Sequence, residues 1–515
     1  MSLITILVLL PLVGALLTLL VPPGNRVGAR SIGVLISLVA FGFNIAALAK
    51  LDRSSGAPQL GDRVSWIRTI AIEWNVGVTG ISVWMMLLTT GLFLLAFIAV
   101  GARMPDAHPR ALIGLLLLAE CGLLGVFAAG DLVLFYVFWE AMLIPFALLI
   151  WMWGDRNRGR AAAAFVIYTM VGSLLMLVAI LSAAFIAKGP NGTLSFAMTD
   201  LANHEWTRSQ STWLFAAFAL AFLIKLPLFP FHGWMAGAYT SAPLVVTALL
   251  SAVMSKAGAY GLLRIAVPIF PVGAERLATT ISILAVCSII YGSLMAWRAL
   301  TMRMLVAYSS LAHLGFIVLG IMSFTSIGAE GSVLQMFNHG VVIAAAFAIV
   351  GIIARAKHGT EEMDQITGLA KGAPVLAVVF LVITMAALAI PGSNAFAGEF
   401  FILIGTFQPH PVLAVLATFG TAYAAVYMLR LYQTTMNGPL EGDPKKAELR
   451  GIDALYLAPL VAAMVVVGLW PGGITRTTKA AVECATTSAG SIGLVSSAGQ
   501  PPRTEPISTE LLGCR

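Results

Sequence analysis

The chain is dominated by apolar runs long enough to cross a lipid hydrocarbon core, roughly fourteen of them in 515 residues, each of about 18 residues or more. They centre on residues 2–21, 31–49, 81–100, 111–129, 132–152, 162–187, 213–231, 241–263, 277–297, 304–323, 332–354, 374–408, 411–434 and 453–470. Within a bilayer no water can satisfy a backbone N–H or C=O, so each run must bond to itself as a helix. The expected fold is therefore an all-α polytopic membrane protein with about 14 transmembrane helices. Composition agrees: 59% of residues are hydrophobic and only 10% charged, too few to cover a soluble domain of this size. The net charge of +7 is scattered over short loops, which excludes a nucleic-acid footprint. The first run lacks a basic leader and an A-x-A cleavage site and reads as a retained helix. Cys121, Cys287, Cys484 and Cys514 have no CxxC spacing, so no zinc, iron–sulfur or disulfide framework is expected.

Loop charge gives an orientation. Connections on one side hold 16 basic residues, among them Arg26, Arg110, Arg158, Arg303, Arg355 and Arg430, against 8 in the short loops opposite. The richer side is expected to be cytoplasmic, with both termini outside. Residues 51–80 form the longest early loop, and Trp66–Val78 alternates like a short outward-facing hairpin. Residues 472–515 are rich in Ser, Thr, Gly and Ala and read as a mobile tail with room for one short surface helix.

Ionisable side chains occur where they should be costly. Glu120, Glu140, Lys225, Lys256, His313, His339 and Glu399 lie within apolar runs on seven helices, with His232 at the end of one. Each charged group near the bilayer centre costs about 2.5–3.5 kcal/mol on insertion scales. A buried Lys–Glu pair can lock two helices together, and a single histidine can merely satisfy a carbonyl. Acids, bases and histidines spread over consecutive helices fit a proton relay better, since each site must take up a proton and release it when a neighbour changes charge. Two runs are also interrupted. Pro227 and Pro230 break the seventh beside Lys225, and their rings should leave the carbonyls of Leu223 and Leu226 without partners. Pro391–Asn394 breaks the twelfth ahead of Glu399. Discontinuous helices five apart in order point to inverted repeats with a conduction site between them.

Several segments resemble the antiporter-like membrane subunits of respiratory complex I: DLVLFYVFWEA at 131–141 followed by MLIPF at 142–146, KLPLFPFHGWM at 225–235, SKAGAYGLLRI at 255–265, AYSSLAHLGFI at 307–317, QMFNHGV at 335–341 and PGSNAFAGEFF at 391–401. The likeness runs from about residue 70 to 470. Within the family the chain is most similar to the subunit M type, homologous to mitochondrial subunit 4. Position 399 carries Glu where the L and N types carry lysine, and the length fits fourteen helices without a long lateral helix.

The resemblance implies two inverted five-helix repeats with discontinuous helices 7 and 12. The expected division is residues 1–110 (helices 1–3), 111–264 (first repeat), 276–434 (second repeat), 435–471 (cytoplasmic loop and helix 14) and 472–515 (tail). It implies that Glu140 pairs with Lys225, and that Lys256 is a central relay linked through His313 and His339 to Glu399 on the exit side. Glu120 matches a further position with an acidic option. The implied activity is proton translocation within the membrane arm of an NADH:quinone oxidoreductase, in a bacterial inner membrane, beside L-type and N-type subunits. NADH, FMN, iron–sulfur clusters and quinone would sit on partner subunits, leaving this chain without cofactor or metal. The alternatives are a subunit of an Mrp-type Na⁺/H⁺ antiporter or of a membrane-bound hydrogenase, and a non-conducting spacer with the same fold. Four positions depart from the family pattern: Gly237 lacks the usual acid, Ala164 the usual lysine, Thr79 the usual acid in Gly77–Gly80, and Thr301–Met304 reads TMRM. They bear on the cytoplasmic uptake route; the central residues are intact.

Overall fold

A computed structural model describes residues 1–102, 107–155, 157–189, 192–439, 447–449 and 451–497. Every apolar run is occupied by helix. Among the described residues eleven helices are long and apolar enough to span a membrane, or twelve if the pair Met363–Lys371 and Pro374–Ala387, bent by 117°, is one span. The difference from fourteen has a covalent cause. The twelfth run is cut into Pro374–Ala387 and Asn394–Phe407, the seventh stops at Lys225 so that the 18-residue Arg208–Lys225 helix includes a polar first turn, and the first helix, Leu3–Leu19, has only 17 residues.

The Arg208–Lys225 helix stops at the lysine, followed by a 3₁₀ turn at Phe231–Trp234 and a short helix at Met235–Ser241. The Leu223 carbonyl is not orphaned, contrary to expectation: it accepts from the Leu228 N–H at 2.9 Å. The Ile224 carbonyl accepts from the Trp234 indole at 2.9 Å. The backbone freed by the prolines is thus largely satisfied by the returning chain itself. The second break passes through Ala389 and Gly392, both at positive φ, before the Asn394–Phe407 helix begins.

Two further irregularities appear. The fifth run divides into Leu132–Ala141 and Leu143–Trp153, because Pro145 has no N–H to give the carbonyl four residues earlier, at Ala141. In the Leu244–Ile269 helix, π-helical turns at Leu250–Met254 and Leu262–Ala266 flank the α-helical turn that carries Lys256. Such bulges gather at functional sites.

Burial orders the bundle. Leu244–Ile269, Met302–Met322 and Ser326–Ala356 are 89%, 94% and 89% buried over their apolar windows, against 28% for Arg26–Lys50 and 33% for Pro411–Met436. The first three form the centre and the last two the periphery. The extramembrane loop folds into an antiparallel hairpin of Gln59–Ile67 and Ile72–Val78, longer at its first strand than the alternation suggests. It docks through Asp62, which accepts from the Ser2 N–H at 2.5 Å and the Thr5 hydroxyl at 2.7 Å.

The expected tail is instead a 26-residue helix, Gly472–Ser497, that buries Ile474, Ala481, Val482 and Ala485. Its small residues allow close docking: a Cβ on Gly80 would meet the Thr477 carbonyl. Residues 498–515 lie outside the described residues. Cys121 and Cys287 are free thiols, whereas Cys484 is disulfide-bonded, which the absence of CxxC spacing gave no sign of.

Candidate proton-relay site

Four of the sequence-predicted residues meet in the bundle centre. Lys256, fully buried, donates from Nζ to the Ser251 carbonyl at 2.6 Å and to the Ser255 hydroxyl at 3.4 Å. Its Nζ lies 2.6 Å from Nδ1 of His339. The His339 and His313 rings have centroids 5.4 Å apart. His313 Nδ1 is 2.8 Å from Oε1 of Glu399. A line of titratable groups therefore crosses four helices, Lys256–His339–His313–Glu399, with one wider step between the imidazoles.

The hydrogen-bond inventory restricts how that line is protonated. A lysine ammonium only donates, so beside it His339 Nδ1 accepts and the ring proton sits on Nε2. His339 Nε2 is buried and has no hydrogen-bond partner among the described residues. If the proton moves from Nζ to Nδ1, Nε2 can release another toward His313. An imidazole that takes a proton at one nitrogen and gives one from the other is a relay element.

Glu399 is held for exchange with this line. Its Oε1 also accepts from Gln335 Nε2 at 3.2 Å, and Oε2 from the Thr421 hydroxyl at 3.3 Å. The sequence reading missed Ser251, Ser255, Gln335 and Thr421. Gln335 stands one helical turn before His339 and inside the quoted QMFNHGV motif, which was the available signal. Thr421 had none, being on a different helix.

The other predicted residues stand apart. Lys225 Nζ is buried with no hydrogen-bond partner and lies 5.0 Å from the Trp139 ring centroid and 5.9 Å from that of Phe165. Those distances suit cation–π contact. The expected Glu140–Lys225 ion pair is not formed; Glu140 Oε1 is itself unpartnered. Trp139, the residue before Glu140, takes the place beside the ammonium. Glu120 is fully buried and, among the described residues, accepts only from the Ser37 hydroxyl, at 3.0 Å, with Oε2 unpartnered. His232 packs against Phe229 and Tyr291, ring centroids 5.7 and 5.0 Å away, and its Nδ1 has no partner. No group of three or more His, Cys, Asp or Glu suited to a metal ion occurs among the described residues.

A family model described as NADH:quinone oxidoreductase/Mrp antiporter, TM, matches residues 129–424, the stretch that holds every member of this line. The chain belongs to that family. NADH-quinone oxidoreductase subunit M of Rhodobacter capsulatus is 35% identical, the match covering 92% of this chain and 94% of that protein. Among solved structures, respiratory complex I from Thermus thermophilus contains a chain with TM-score 0.86 and 32% identity, matched over 95% of this chain and 100% of that one. A chain of the Mrp complex from Dietzia sp. DQ12-45-1b gives TM-score 0.81 at 22% identity, over 96% of this chain and 100% of its own, which shows the shared fold. As a member of this family the chain is a multi-pass membrane protein of the antiporter-like type.

Proposed function

We propose that this chain is a proton-translocating subunit in the membrane arm of an NADH:quinone oxidoreductase, of the subunit M type. One observation supports the reading: the buried line Lys256–His339–His313–Glu399, in which the first and last pairs lie at hydrogen-bond distance and the two imidazole rings lie 5.4 Å apart between them. The relatives named subunit M support the host complex. The chain sits in a bacterial inner membrane with both termini outside, beside L-type and N-type subunits. Redox chemistry belongs to partner subunits carrying flavin, clusters and quinone, and this chain moves charge. Its working units are two five-helix repeats, residues 111–264 and 276–434.

In this mechanism Lys225 is the switch. Its ammonium lies over aromatic faces, so a displacement that brings Glu140 toward it changes the charge balance on the helix that packs through Phe222 and Leu226 against Gly258 of the Lys256 helix. Lys256 then passes a proton to His339 Nδ1, the Nε2 proton crosses the wider imidazole gap by ring rotation or a bridging water, and His313 delivers to Glu399. Moving one charge against 100 mV requires about 2.3 kcal/mol. A change of one pKa unit supplies about 1.4 kcal/mol, so charge shifts of this kind are of sufficient size.

The test is substitution of Lys225 or Lys256 by Ala in the assembled complex, with quinone-linked proton pumping as the readout. Pumping should fall while assembly persists. Wild-type pumping and turnover in a normally assembled complex would remove the relay and leave the spacer reading.

A further inference from the structure

We infer that the pocket between the ends of the Pro271–Arg298 and Pro411–Met436 helices is a binding site for the phosphate headgroup of an anionic phospholipid. The pocket has a volume of about 600 Å³ and is lined by Leu294, Trp297, Arg298 and Arg430. Two arginines line it and, among the described residues, no carboxylate does. Arg430 is partly engaged, donating from Nη1 to the Trp297 carbonyl, which holds it at the helix end. Arg298 is exposed and has no ion-pair partner among the described residues. Arg303, by contrast, pairs with Glu361 and Arg355 with Asp453. Among the described residues, the Arg298–Arg430 pair is a cationic site without an ion-pair partner.

Its surroundings fit a lipid rather than a soluble anion. Both helices belong to the membrane bundle, and Trp297, 45% exposed, has the amphipathic ring that favours the headgroup level. Toward the middle of the same two helices Ile283, Phe419 and Val426 are exposed apolar side chains, which suit acyl chains. Basic pockets between transmembrane helices recognise anionic headgroups by this combination. The guanidinium fork supplies paired N–H donors to phosphate oxygens, a geometry that an ammonium lacks.

The experiment places the full chain, and separately the assembled complex, in phosphatidylcholine nanodiscs doped with phosphatidylglycerol, and counts retained phosphatidylglycerol by native mass spectrometry. The wild-type chain should retain it in preference to phosphatidylcholine. Each arginine near the surface contributes about 1 kcal/mol, or roughly a fivefold change in affinity. Arg298→Gln and Arg430→Gln should each weaken retention by about that factor, and together by about twenty-fivefold. Arg298→Lys with Arg430→Lys should restore part of it, keeping the charge but not the paired donors, which separates lost charge from local unfolding of the helix end. Equal retention in wild type and double variant would overturn the site. So would displacement of the lipid by added inorganic phosphate. Loss of a neighbouring subunit from the complex with unchanged lipid content would also overturn it, by assigning the arginines to a protein carboxylate.

Discussion

Lys256 is buried among a carbonyl, a hydroxyl and an imidazole, with no carboxylate in ion-pair contact among the described residues. A fixed structural lysine would gain more from an acid. In the proposed relay the imidazole is the group that takes the proton from the ammonium at one nitrogen and releases one from the other. His339 is then the residue through which the line passes. His339→Ala should lower quinone-linked pumping about tenfold or more, within what a proton-transferring group contributes. Thr421→Val, which removes only a 3.3 Å contact to Glu399, should lower it less. Parallel proton-release measurements on the two variants check the order, and equal losses would remove His339 from the path. Seven of the eight titratable candidates were legible because a charge or histidine inside an apolar run is conspicuous, and His232 because it adjoins the break. What stayed hidden were the neutral supports, Ser37, Ser251, Gln335 and Thr421, since a hydroxyl or amide in a helix is commonplace until its partner across the bundle is known.

Among elements, the Lys256 helix depends on close packing against the Lys225 helix. A Cβ at Gly258 would stand 2.5 Å from the Phe222 carbonyl and 2.9 Å from Leu226 Cβ. Backbone cannot yield as a flexible side chain does, so Gly258→Val should destabilise the pair by about 1–3 kcal/mol. A lower inactivation temperature of the purified chain would show this, and an unchanged one would argue against the contact. The hairpin offers a pH test outside the membrane. The Ser2 N–H and the Thr5 hydroxyl bonded to Asp62 hold its carboxyl below the usual carboxylate range. A depressed carboxyl stabilises the docked hairpin above its free value, and that contribution is lost as pH falls through the bound value. The protection of residues 59–78 against hydrogen exchange, taken relative to the intrinsic rate at each pH, should therefore fall in acid, and Asp62→Asn should be less protected at neutral pH with little further acid response. The breaks were partly readable at this scale. Pro227, Pro230 and Pro391 announce interruptions, and so in hindsight does Pro145. Of the π turns around Lys256, the second lies just before Pro268, which has no N–H for the Arg264 carbonyl within it, and the first has no such signal in the sequence.

Across the whole molecule, Arg303 joins parts far apart in sequence. Its guanidinium pairs with Glu361 after the Ser326–Ala356 helix, and Nη1 donates to the Thr240 and Ala242 carbonyls at 2.8 and 3.0 Å, at the end of the Met235–Ser241 helix. It thereby ties the far end of the interrupted seventh run to the start of the His313 helix. Arg303→Met would strand Glu361 and two carbonyls, a loss of about 3–5 kcal/mol for a largely buried pair. The chain should then inactivate at markedly lower temperature, and Arg303→Met/Glu361→Leu should recover part of the loss. Recovery absent in the double variant would mean that the carbonyl contacts, rather than the ion pair, carry the stabilisation. The C-terminal helix is the largest departure from expectation at this scale. Gly472–Ser497 is too polar to read as a span and too rich in Ser and Gly to stand alone as a helix. It forms because the bundle offers Gly56 and Gly80 as close-approach surfaces and buries its small apolar face.

The sequence by itself determined the membrane class, the approximate positions of the helices and the titratable groups within them, because apolar length and intramembrane charge are local properties with large free energies. Only the tertiary structure decided which of those groups touch. It set Lys256 on His339 and His313 on Glu399, left Lys225 over Trp139 instead of paired with Glu140, and gave Glu120 to Ser37. Contacts between helices depend on their rotation and depth, fixed by packing across the whole bundle, and no stretch of sequence encodes these alone.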